Sequence, residues 1–156
     1  MGNSFGTYDG GPSMHLSNGG SEVFLDVLAL AACELAESPF ERGFALLLCN
    51  SRIGLGNESF DLCELPWSEE WVAERSFLLR VVQLAATGFR WGLLSYNPPY
   101  VADHLGEYEQ LLVDFEPRQT GELARFWDPA PPAEAFRQCL EHGLFVGDYT
   151  DCRLCL

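Results

Sequence analysis

The stretch from Pro66 to Gly88 constrains the fold more than any other part of the chain. Ser68 offers a hydroxyl that suits an N-cap, and Glu69 and Glu70 follow where carboxylates meet the positive end of a helix dipole. Gly88 suits the left-handed residue just past a helix end. Between these signals Trp71, Val72, Leu78, Leu79, Val82, Ala85 and Ala86 recur at helical spacing, and Phe77, Val81 and Leu84 widen the apolar arc. The pattern predicts a central helix over about 68–87, buried on most sides. Glu70, Glu74, Arg75 and Arg80 are left for its polar face. No catalytic or cofactor motif falls on this stretch.

The remaining elements follow from similar signals. Residues 1–20 hold six glycines with Ser, Asn and Pro, the composition of a flexible arm, in which His15 is solvated. Residues 21–156 then form a single domain, as expected for a chain of 156 residues. Ser21 opens a first helix whose apolar face is Val23, Phe24, Val27, Leu28, Ala31 and Leu35, and Pro39 stops it near Ser38. Phe44 to Cys49 is a continuous apolar run of strand length, and a glycine-containing turn over 50–57 leads to an antiparallel partner at about 58–65. Phe89 to Tyr96 reads as a further strand. Val101, Leu105, Tyr108, Leu112 and Phe115 then make an amphipathic helical stripe that Pro117 closes. Thr120 to Trp127 reads as a helical turn, Ala133 to His142 as a helix, and Leu144 to Asp148 as a strand that Arg153 to Leu156 extends or pairs with. The expected class is α+β: a small mixed or antiparallel sheet of four to five strands with helices mainly on one face.

Charge narrows the partners. The chain carries 23 acidic and 9 basic residues, for a formal charge of -14, and every basic residue is arginine. This balance opposes nucleic-acid binding and docking on anionic membranes, and favours a basic protein partner or simple solubility. No apolar run approaches the roughly 20 residues of a membrane span. No secretory leader is evident, and Gly6 stands where a myristoylation signal needs Ser or Thr, so cytoplasmic placement with reduced thiols is expected. Cys33, Cys49 and Cys63 read as small apolar core residues.

Several constellations bear on chemistry. Asp103, His104 and Glu107 share one helical face, where they suit a divalent metal or an acid beside a base, but one helix supplies too few ligands for a closed site. Cys152-Arg-Leu-Cys155 is a C-x-x-C pair without a second such pair, so it reads as a hydrophobic terminal strand. Cys139 and His142 stand three apart, a nominal nucleophile and base with no accompanying oxyanion motif. Nucleotide, nucleophile-elbow and metalloprotease motifs are lacking, and Gly54-Leu-Gly56 is too short for a nucleotide fingerprint.

A recognition surface is what these exclusions leave. Tyr96 and Tyr100 lie on one proline-stiffened loop, and Trp127 and Asp128 on another. Rigid aromatics beside carboxylates lose little entropy on docking. Tyr96, Tyr100, Asp103, His104, Glu107, Trp127 and Asp128 are therefore the candidate partner-binding residues, with no metal and no cofactor expected. In size and acidity the chain has the general character of bacterial immunity proteins, although no motif identifies a family. The leading expectation is a non-catalytic inhibitor that neutralises a basic toxin or effector. The alternatives are a chaperone of the type III secretion class and a small ligand-binding domain or enzyme.

Overall fold

The computed structural model describes residues 2–51, 59–98, 100–118, 137–146 and 151–155. Its organising element is α1, Asn18–Leu35. The Ser17 hydroxyl caps it by accepting from the Gly20 amide at 3.0 Å. Every residue from Phe24 to Cys33 is buried. This follows from a run with a single charge, Asp26, in which Leu and Ala favour the helix and no polar face remains. Helix α1 touches α2 (Pro39–Asn50), α3 (Trp71–Ala86) and α4 (Val101–Asp114), and also the N-terminal strands. The centre of the core is therefore α1, whereas the pattern over 68–87 had pointed to α3.

Helix α2 replaces an expected strand. Phe44 to Cys49 lies inside it. Its start is a capping box: Ser38 Oγ accepts from the Glu41 amide at 3.2 Å, and Glu41 Oε1 accepts from the Ser38 amide at 3.1 Å. Pro39 occupies the first turn, where its missing N–H costs nothing. The apolar run holds Leu and Ala but no β-branched residue, so helix propensity and the cap agree. Burial on nearly all sides hides the periodicity that identifies a helix.

Two further strand expectations also give way. Within 58–65, Leu62–Glu64 forms a single 3-10 turn, and within 89–96, Trp91–Leu93 forms another. Conversely, part of the expected arm is ordered. Residues Gly2–Gly6 (β1) and Ser13–Ser17 (β2) pair antiparallel, with Phe5 and Met14 fully buried. A second short hairpin joins β3, Arg137–Gln138, to β4, Phe145–Val146. The described part of the helix expected over 133–142 is thus strand and turn. Among the described residues the architecture is a small α+β fold of four helices and two short two-stranded antiparallel sheets, and these do not join into one sheet of four to five strands.

Helix α4 follows its stripe, whereas α3 starts at Trp71 rather than at Ser68 and buries one side only, through Phe77, Leu78, Val81, Val82 and Ala85, with Val72 exposed. Gly88 adopts φ +85 just beyond α3, the left-handed position that glycine fills without strain. Ser68 acts one turn before α3, accepting from the Glu70 amide at 3.1 Å and donating to Glu74 Oε2 at 2.8 Å. An aromatic lattice knits the layers: Phe5 meets Phe24 and Phe60 edge-on, Phe44 meets Phe60 and Phe77, and Trp67 lies between Phe40 and Phe115. Among the described residues no helix is long and apolar enough to cross a membrane.

Tyr108 of α4 packs edge-on to Phe24 at 5.1 Å, and its buried hydroxyl has no hydrogen-bond partner among the described residues. Burial first, then the charge of Asp61, holds its phenol above the usual range. Tyr108→Phe removes an unsatisfied polar atom and keeps the ring. It is expected to raise stability by about 1 kcal/mol in urea unfolding. A loss of similar size would show that the hydroxyl is satisfied.

Candidate metal centre

The β3–β4 hairpin shapes half of a side-chain cluster. The Cys139 amide donates to the Leu144 carbonyl at 2.7 Å, and the Gly143 amide donates to the Cys139 carbonyl at 2.8 Å. Gly143 closes the turn at φ +75, where a side chain would be strained and would also meet Arg90 Nη1 at 2.6 Å. This tight turn puts Cys139 and His142 side by side. The second half is the turn over 151–155, where the Cys155 amide donates to the Cys152 carbonyl at 3.1 Å.

The two turns converge. One ligand atom from each of Cys139, His142, Cys152 and Cys155 lies within 4.8 Å of all the others. His142 Nδ1 stands 3.7 Å from Cys139 Sγ, 3.5 Å from Cys152 Sγ and 3.4 Å from Cys155 Sγ. Cys139 Sγ and Cys155 Sγ are 3.6 Å apart. Disulfide sulfurs lie at about 2.05 Å, and all six cysteines are free. A tetrahedral zinc ion, with sulfur at about 2.3 Å and nitrogen at about 2.0 Å, spaces sulfurs about 3.8 Å apart and sulfur from nitrogen about 3.5 Å. The observed spacings are close to those edges.

The electrostatics divide the thiols. Burial acts to raise the Cys139 thiol, but the His142 amide and ring, the Glu141 amide and the Cys155 side chain outweigh it and bring it down to about 6. Cys155 is driven up to about 12, first by sharing its proton with Cys139 and then with Cys152. Burial raises the Cys152 thiol. Backbone amides aimed at the Cys139 sulfur favour its thiolate, the form that binds metals.

Arg153, between the two C-terminal cysteines, anchors this turn to the helical core. Its side chain is 2% exposed. Nε donates to Asp26 Oδ1 at 2.6 Å, and Nη2 donates to Glu22 Oε2 at 2.7 Å. Nη1 donates to the carbonyls of Leu48 at 2.8 Å and Ser51 at 2.7 Å, at the C-terminal end of α2. The guanidinium thus answers carbonyls that a helix end leaves unpaired, and it sits where the dipole favours a cation. The Tyr96 hydroxyl donates to Asp26 Oδ2 at 2.5 Å, and its phenol is held above its usual range by burial and then by that carboxylate. On the hairpin side, Gln138 Nε2 donates to the Cys33 carbonyl at 3.2 Å, near the end of α1.

The residues expected to meet a partner lie elsewhere or serve other contacts. Tyr96 joins the Asp26 network while still 37% exposed. Tyr100 is 79% exposed, at φ 56 immediately before α4. Asp103 and Glu107 are exposed on α4, and half-buried His104 lies near Gly20 at the start of α1. These α4 residues contribute nothing to the cysteine cluster. Trp127 and Asp128 lie outside the described residues.

The cluster overturns the reading of a purely non-catalytic binding protein, and with it the framing as an immunity-type inhibitor and the exclusion of an enzyme. Four converging metal-capable ligands are what such a reading lacks. The signal was present as Cys139-x-x-His142 and Cys152-x-x-Cys155. It does not take the form of two C-x-x-C pairs, because imidazole replaces one thiolate. No family model, curated protein or solved structure matches the chain.

Replacing Arg153 by Ala strands the buried Asp26 carboxylate. The expected cost is about 3–5 kcal/mol in chemical denaturation, because one partner of a buried ion pair is lost. A loss below about 1 kcal/mol would mean the network is solvated.

Proposed function

We propose that this chain is a zinc-binding protein. Its Cys139, His142, Cys152 and Cys155 hold the ion and fasten the C-terminal turn and the β3–β4 hairpin onto the end of α1. The supporting observation is the convergence of those four ligand atoms within 4.8 Å. Three soft thiolates with one imidazole suit zinc, whereas a calcium or magnesium site needs oxygen ligands. Four protein ligands fill a tetrahedral shell, which is the form of a site that holds structure. The energy scale fits that role. Strands of two residues make a hairpin too short to persist alone, and zinc bound in small domains contributes on the order of 10 kcal/mol to folding.

A cleft of about 670 Å³ beside the centre supports a second reading. Cys139 and His142 form part of its wall, with Arg90, Glu34, Leu93 and Glu141. This is the size of a small-molecule site. If Cys155, the most exposed ligand, yields its position to water or substrate, a Cys2His metal becomes a Lewis acid facing that cleft. The signature of this reading is a metal-dependent turnover that Arg90→Ala weakens without loss of zinc.

Metal analysis of the purified chain decides the main proposal. About one zinc per chain is expected, from one four-ligand site. Cys152→Ser and His142→Ala should each lower that content and the thermal midpoint, and a chelator should reproduce the shift. Metal-free protein that fails to take up zinc would overturn it.

A further inference from the structure

The sulfurs of the centre are not equally accessible. Cys152 is buried, Cys139 is half-buried and Cys155 is exposed. The 3.6 Å approach of Cys139 Sγ to Cys155 Sγ joins the two accessible thiols, one from each turn. Cys33 and Cys49 also approach, to 3.5 Å, but both are buried beyond reach of a dissolved oxidant. We infer that Cys139 and Cys155 form a hydroperoxide-sensitive dithiol that expels the metal by closing into a disulfide. This rests on the zinc reading above.

The chemistry balances with a hydroperoxide as the oxidant. Cys155 Sγ, deprotonated as a metal ligand must be, attacks a peroxide oxygen. The O–O bond breaks, leaving a sulfenic acid and, from hydrogen peroxide, hydroxide. Cys139 Sγ attacks that sulfur, the S–S bond forms, and a second hydroxide leaves. Two protons convert both hydroxides to water. Each sulfur loses one electron and the peroxide gains two. Only Cys152 and His142 then remain for zinc, and two ligands do not hold it in a structural site.

The geometry also makes the step reversible. The new bond ties the hairpin to the C-terminal turn, the same two segments that the metal joined. Arg153 lies between the two cysteines of that turn, so the link keeps its guanidinium near Asp26 and Glu22. Oxidation thus releases metal without releasing the segment, and a thiol reductant with zinc restores the centre.

The test starts with the full-length protein and a count of its zinc. Absence of zinc at that step removes the metal proposal itself and is distinct from failure of this inference. The zinc-loaded protein is then titrated with hydrogen peroxide beside a chromophoric chelator. Release of about one zinc per chain is expected, with loss of about two thiols, from the four-ligand stoichiometry. Combined cleavage after Glu141 and Arg153 places Cys139, Cys152 and Cys155 on separate peptides, and mass spectrometry should find Cys139 joined to Cys155. Cys63→Ser, away from the cluster, should leave the titration unchanged. Retention of zinc while free glutathione is consumed would overturn the inference, as would release with any other cysteine pairing.

Discussion

The structure depends most on the buried guanidinium of Arg153. A charge excluded from water is tolerated only where its donors are met, and here four contacts meet them. Two go to carboxylates of α1 and two to carbonyls at the end of α2. One side chain near the C-terminus therefore fixes how the first two helices meet. It also explains why Asp26, the only charge within the buried stretch of α1, is tolerated there.

That constraint and the metal-capable cluster share one turn of chain. The turn over 151–155 carries both features: Arg153 ties it to α1 and α2, and Cys152 and Cys155 join the cluster with Cys139 and His142. The ligands on either side of Arg153 face the hairpin while Arg153 itself faces the helices. The exposed Cys155 and the cleft beside Cys139 and His142 open this side of the cluster to the surface.

Much of the helical scaffold was legible. The Val101–Phe115 stripe and the stop of α3 at Gly88 appear where the 3.6-residue period and the terminal glycine place them. The failures share a physical cause. Helix α2 is buried on nearly every side, so its sequence shows a solid apolar run with no period to separate helix from strand. Residues 2–17 are rich in small polar residues, yet Phe5 and Met14 hold them to the core through contacts with distant elements. The metal-capable residues divide between two turns, and each pair alone resembles an ordinary hairpin or a terminal strand.

The sequence by itself determined the α+β class, α3 and α4, the acidic balance and the identity of every possible ligand. These are properties of local spacing and composition, which a chain carries before it folds. Only the tertiary structure decided that α1 is the centre, that the strands form two small sheets, and that Cys139 and His142 meet Cys152 and Cys155. The reason is geometric: ligand convergence and the pairing of Arg153 with Asp26 join residues far apart in sequence. Their approach is set by how the helices pack, which no local period records.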